Sequence, residues 1–194
     1  MTLALSIEQV VFYAVFVVWL VFTFMIERVL TGKEHVKPAR TQEDRGSSLL
    51  IYFSVFVAIV VAFGLGGVGV TPLPGWVFGI GIFLMLFGIF VREWAVLTLK
   101  DYFLFRVGVL DGHKVVDYGP YRLVRHPGYA GSILTMIGIG LAVESLAAAL
   151  ILALLCGIAY GYRIRVEEVA LSKELGEEYS KYMSRTKRLI PFIF

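Results

Sequence analysis

The feature that most constrains this chain is a set of long stretches without a single charged residue. They run over Gln9–Ile26, Ser47–Val91, Tyr129–Val143 and Ser145–Tyr162. Thr71-Pro72-Leu73-Pro74 breaks the longest into Leu49–Val70 and Gly75–Val91, which makes five apolar runs. A helix that crosses a bilayer needs roughly 20 apolar residues. The first three runs meet that length once a turn of flanking sequence is added. The last two are shorter, with only Glu144 before Ser145 between them, and are expected to form a tight helical hairpin whose ends are covered by protein; a re-entrant pair is the alternative. Lys and Arg are absent before Arg28, so the basic region of a secretory signal is missing and the first run is expected to be a retained span.

Composition agrees. Apolar residues make up 58% of the 194 and charged residues 17%, against about 25% charge in soluble domains. The lone Cys156 excludes an internal disulfide framework and a multi-cysteine metal site. No metal site is expected from His113 and His126, which stand apart with no third clustered ligand. The modest net charge of +3 argues against a nucleic-acid partner. The expected fold class is therefore an all-α integral membrane protein with five transmembrane helices.

Orientation follows from where the cations sit. Sixteen of the 18 Lys and Arg fall in the 31–47 loop, the 100–127 segment and the tail from residue 163. Arg28 and Arg92 lie at the same-side ends of spans one and three. Positive charge marks the cytoplasmic side, so the N-terminus is expected outside and the C-terminus inside.

Residues 1–99 then look like a three-span scaffold. Residues 100–194 look like a catalytic region integrated with it, made of an inner-side loop, the hairpin and a C-terminal helix. Apolar positions from Val166 to Met183 fall roughly on one face and predict a helix over Arg163–Tyr182, with Gly176 as a break or kink. The stretch Gly64-Leu65-Gly66-Gly67-Val68-Gly69 matches G-x-G-x-x-G, but a dinucleotide loop needs a strand before it and a helix after it. Here a span precedes and Pro72 and Pro74 follow, so it is expected to be a flexible span end. Gly75-x-x-x-Gly79 and Gly157-x-x-x-Gly161 suggest close helix packing.

The chemistry is expected on the inner side. Asp111–Tyr121 leads into Arg122-Leu123-Val124-Arg125-His126-Pro127-Gly128-Tyr129. Gly and Pro turns leave backbone groups free for a ligand, and Tyr118, Tyr121 and Tyr129 offer flat faces with a polar tip. An amphipathic loop anchored in lipid headgroups is the competing reading. Arg163 and Glu167 stand four apart on one helix face at the membrane boundary, where they form either an ordinary ion pair or a site for a zwitterion and an anion.

Together these motifs resemble the isoprenylcysteine carboxyl methyltransferase family, to which phospholipid methyltransferases are related. The resemblance covers about Lys100–Phe194. It rests on Gly119-Pro120-Tyr121-Arg122, Arg125-His126-Pro127-x-Tyr129, Arg163-x-x-x-Glu167-Glu168, Leu175-Gly176-Glu177-Glu178-Tyr179, Arg185 and Ile190-Pro191-Phe192. It is closest to a minimal, five-span prokaryotic-type member.

The resemblance implies S-adenosyl-L-methionine as cofactor. It places contacts at His113, Lys114, Val115, Val116, Tyr121, His126, Pro127, Gly128, Tyr129 and Glu167. Arg106 stands where some members have Gln, and its contact stays open. Arg163 is implied to face the acceptor carboxylate, which makes Arg163 and Glu167 the catalytic pair. A lipid-tailed, prenylated acceptor would enter from the bilayer, and no obligatory protein partner is evident. Methylation of a phospholipid amine, or an NADPH-dependent reduction like that of sterol reductases, are the alternatives. A small transporter is a third, weakened by the lack of ionisable residues in mid-span.

Overall fold

The computed structural model describes residues 6–31, 44–103, 107 and 114–191. Five helices form along them: α1 (Ile7–Thr31), α2 (Ser47–Val68), α3 (Trp76–Leu99), α4 (Pro127–Ala142) and α5 (Leu146–Arg185). Short 3-10 turns occupy Lys100–Tyr102 and Gly119–Arg122. No strand forms among the described residues; two isolated bridges, Pro72 with Ser145 and Val124 with Lys187, tie loops together.

The five apolar runs thus become five helices, but their lengths differ. By length and composition three are able to cross a membrane: α2 over Ser47–Gly66, α3 and α5. The apolar parts of the others, Ile7–Thr23 and Pro127–Ala142, are shorter. Large apolar side chains point outward, among them Phe53 and Phe56 of α2, Phe83 and Phe90 of α3, and Leu150 and Leu154 of α5. In water that would be a large exposed patch; against hydrocarbon it is the favourable surface.

The α2–α3 and α4–α5 turns are zipped to each other at one end of the bundle. Leu73 N–H donates to the Glu144 carbonyl (2.8 Å), and Leu146 N–H to that of Thr71 (3.1 Å). Ser145 Oγ donates to the Val70 carbonyl (2.8 Å) and accepts from Ala148 N–H (3.3 Å), capping α5. These bonds occupy backbone groups that hydrocarbon would leave unsatisfied.

Helices α3 and α4 pack backbone to backbone. A Cβ at Gly88 would lie 2.5 Å from the Gly131 carbonyl oxygen, and one at Gly138 only 2.6 Å from Met85 N. Gly81 and Gly88 are two turns apart on α3, as Gly131 and Gly138 are on α4, so each pair shares a face. This corrects the packing expected from the G-x-x-x-G spacings. Nothing lies within 4 Å of a Cβ at Gly79, Gly157 or Gly161, and at Gly75 only Glu144 Oε1 does, 3.6 Å away. The spacing was present, but those glycines sit on faces with no close neighbour.

The G-x-G-x-x-G stretch is the end of α2, as expected, yet it stays helical to Val68 and is closed by Gly69 in the left-handed region (φ 65°). Helix α5 continues well past the apolar run. Gly176 (φ 54°, ψ −124°) interrupts it with a kink inside Leu146–Arg185, where the sequence pointed.

Candidate active site

At the end of the bundle opposite the zipped turns, a cavity of about 390 Å³ opens between all five helices and the loop before α4. One part of its wall is apolar, with Trp19 from α1 and Val55 and Ile59 from α2. The other part is polar and carries Arg92, His126, Tyr129, Ser132, Arg163 and Glu167.

The polar wall starts from a stack of rings. His126 and Tyr129 lie nearly parallel with centroids 5.6 Å apart, and Tyr129 continues onto Tyr160 at 5.2 Å. Pro127 at the first helical position starts α4 between His126 and Tyr129, which sets both rings on the cavity side.

Tyr129 links the two residues singled out on α5. Its hydroxyl donates to Glu167 Oε2 at 2.7 Å and accepts from Arg163 Nε at 3.2 Å. Arg163 and Glu167, one turn apart, are thus joined through a third side chain. Arg163 is 3% exposed. Its Nη1 donates to Ser47 Oγ (2.8 Å) and Ser48 Oγ (3.0 Å) and pairs with the Asp44 carboxylate.

Asp44 escaped the sequence reading. It precedes α2 and accepts from Ser47 Oγ and Ser48 N–H, both at 2.9 Å. Burial pushes its carboxyl up, but the Ser48 amide, the Ser47 hydroxyl and the Arg163 charge together hold it below the ordinary 3.8. An acidic residue ahead of an apolar run is a cap signal; nothing local says that it also meets an arginine 119 residues away.

Adjacent Glu167 and Glu168 have different roles. Glu168 is 7% exposed and clamps two arginines: Arg125 Nε at 2.9 Å and Arg188 Nη2 at 2.8 Å. Arg125 Nη1 also donates to the Met183 carbonyl (3.1 Å) and to that of Thr186. Backbone bonds from Arg125 N–H to Lys187 O (2.7 Å) and His126 N–H to Arg188 O (3.0 Å) complete the clamp. It fixes the segment before α4 against the chain after α5. Arg125 is consumed there, and Arg122 is exposed outside the cavity wall.

Of the other expected cofactor residues, Val115, Val116, Tyr121 and Gly128 line the cavity. Tyr121 is held by Tyr182, whose hydroxyl donates to the Tyr121 carbonyl at 2.8 Å, and burial raises its phenol well above 10. Glu178 of the Leu175–Tyr179 motif accepts from Val115 N–H at 3.3 Å, and Tyr179 joins the wall. Pro127 is buried behind the cavity, and Lys114 is exposed outside the lining. His113 and Arg106 lie outside the described residues.

This construction lies on a recognisable stretch. Residues 80–173 match the isoprenylcysteine carboxyl methyltransferase family. The matched family region starts within α3 and includes Arg92, His126, Tyr129, Arg163 and Glu167. A probable protein-S-isoprenylcysteine O-methyltransferase of Oryza sativa subsp. indica is 30% identical over 116 residues, which are 59% of this chain and 61% of that protein. Protein-S-isoprenylcysteine O-methyltransferase B of Arabidopsis thaliana is 26% identical over 76% of this chain and 78% of its own. This chain spans about three fifths of the length of the rice relative. The solved structure of a eukaryotic intramembrane Ras methyltransferase of the same family superposes with a TM-score of 0.65 at 24% identity. The superposition covers 72% of this chain and 52% of that one and supports the fold. The resemblance first carried by the Arg-His-Pro-x-Tyr and Arg-x-x-x-Glu-Glu motifs therefore stands.

Proposed function

We propose that the protein is a multi-pass membrane methyltransferase that uses S-adenosyl-L-methionine to esterify the carboxylate of an isoprenylated cysteine or a similar lipid-tailed acceptor. The observation that carries this reading is the two-part cavity. Apolar walls from α1 and α2 meet a polar wall built on Tyr129, Arg163 and Glu167, inside the family region. In this reading five helices span the bilayer, with the N-terminus outside and the site cytoplasmic. The scaffold of residues 1–99 carries the catalytic region of residues 100–194.

The residues present fit such a cofactor. The ring stack of His126, Tyr129 and Tyr160 suits its flat and thioether parts. Glu167, anchored by the Tyr129 hydroxyl, suits its cationic part. His113, Lys114, Val115, Val116, Tyr121, Pro127 and Gly128 complete the proposed contacts. When bound, the cofactor would supply an activated methyl group. An acceptor carboxylate with a pKa near 3.5 is already ionised at neutral pH, so no side chain need remove a proton. The protein's task is alignment and the exclusion of water. Arg163, fixed on Asp44, Ser47, Ser48 and Tyr129, orients the acceptor; it has no reason to act as an acid or base.

A methyl-transfer assay with radiolabelled cofactor tests this, comparing a farnesylated cysteine derivative with an aminophospholipid. Base-labile label on the farnesylated acid is expected. Label on the amine alone, or on neither, would refute carboxylate methylation.

A further inference from the structure

The other arginines of the cavity wall, Arg125 and Arg163, come with carboxylates. Arg163 has Asp44, Arg125 and Arg188 share Glu168, and Arg185 has Asp117 at 2.9 Å. Arg92 differs. It is half-buried, lines the cavity, and donates from Nη1 to Ser132 Oγ at 2.7 Å. Ser132 passes that bond on to the Gly128 carbonyl at 3.0 Å. Among the described residues no carboxylate lies within ion-pairing distance of Arg92. Glu93, next in sequence, feels its charge but is not part of the cavity wall. A neutral hydroxyl satisfies one donor, and no carboxylate of the cavity wall closes on the rest.

Depth makes this costly. Arg92 lies seven residues before the end of α3, about 10 Å up the helix axis at 1.5 Å per residue. Its partner Ser132 and the wall residue Tyr160 each lie about one turn further into the bundle than Tyr129 and Arg163. Ionisable groups at such depth persist where they meet a partner or a ligand. The bond to Ser132 on α4 keeps the guanidinium inside the bundle, which snorkelling to headgroups would not require.

We infer that Arg92 receives the carboxylate of the lipid-tailed acceptor and sets the preference for an acid over a neutral head. This rests on the methyl-transfer reading and names the residue that supplies charge recognition. Arg163 orients the acceptor but is already neutralised by Asp44. A second carboxylate there competes with one held by two serines and an amide. Of the arginines on the cavity wall, Arg92 is the one with no carboxylate in ion-pairing distance among the described residues. A planar guanidinium matches a carboxylate with two parallel N–H groups.

The test measures direct binding of farnesylthioacetic acid and its carboxamide to the full chain in detergent, with S-adenosylhomocysteine present. Wild type should prefer the acid by more than tenfold. Arg92→Gln should lose that preference while binding the amide within twofold of wild type, and Arg92→Lys should restore part of it. If Arg92→Gln keeps the preference, or weakens both ligands equally, the inference is wrong and Arg92 is structural. If Arg163→Gln alone removes the preference, the acid sits on Arg163 instead. If Arg92→Gln weakens S-adenosylhomocysteine but spares 5′-methylthioadenosine, the carboxylate at Arg92 is the cofactor's, which also overturns it. Wild type that binds neither lipid, or shows no preference, refutes the acid-acceptor reading itself.

Discussion

Tyr129 is where the single-residue chemistry is concentrated, because one hydroxyl ties Arg163 to Glu167. Tyr129→Phe keeps the ring stack and removes the tie. Hydrogen bonds to charged groups contribute about 1.5–3 kcal/mol, so S-adenosylhomocysteine binding by titration calorimetry should weaken roughly 10- to 100-fold while the protein stays folded. Binding within twofold of wild type would mean that the hydroxyl only buttresses the wall. The two partners on α5 should separate by ligand. Glu167→Ala should lose cofactor affinity first. Arg163→Lys should keep cofactor affinity and lose methyl transfer by about 2–5 kcal/mol in transition-state terms, since an ammonium cannot reproduce the planar fork that meets Tyr129 and the α2 start together. Equal small losses from both variants would mean that Arg163 and Glu167 only brace the wall through Tyr129 and contact no ligand. Asp44 adds a pH signature. Its folded pKa lies below its unfolded value of 3.8, so its contribution is full above that value and is lost as pH falls through the lowered one. The stability gap between wild type and Asp44→Asn should stay constant above about pH 5 and close in strong acid; a gap that widens on acidification would contradict the assignment.

Between elements, the informative contact is the α3–α4 seam. Gly88→Ala or Gly131→Ala would drive a Cβ into backbone at 2.5–2.6 Å. Overpacking of this kind costs about 1–3 kcal/mol, and more where the neighbour is backbone that cannot rotate away. Thermal unfolding in detergent should show a clear drop for either variant and almost none for Gly157→Ala, which meets open space. The seam positions Arg92 of α3 against Ser132 of α4, so the two seam variants should also disturb acceptor binding. This is the scale at which sequence reading was least able to choose. Helices, their order and the Gly176 kink were legible, because period, charge and glycine conformation are local. Which glycines face a neighbour was not. Two of the apolar runs offer glycines four apart, Gly75/Gly79 and Gly157/Gly161, and rotation of each helix, set by all its partners at once, decides which are used.

The whole molecule turns on the partition of charge. Sixteen of 18 Lys and Arg lie in three segments that five spans place on one side. Single cysteines in the 31–47 loop, at Lys114 and near Lys187 should label only from the cytoplasmic face, and a reporter at residue 2 only from outside. Termini found on the same side would remove the five-span arrangement. What the sequence determined alone is the class of molecule: apolar length demands helices in a bilayer. It also marked His126, Tyr129, Arg163 and Glu167, because their spacing on one turn or one helix face is a local property. Only the tertiary structure separated Glu167, facing the cavity, from Glu168, clamping Arg125 and Arg188. Only it brought Asp44 to Arg163 and left Arg92 beside a serine. The physical reason is that an arginine's role depends on which carboxylate reaches it, and those carboxylates arrive from other helices, at separations no local pattern encodes.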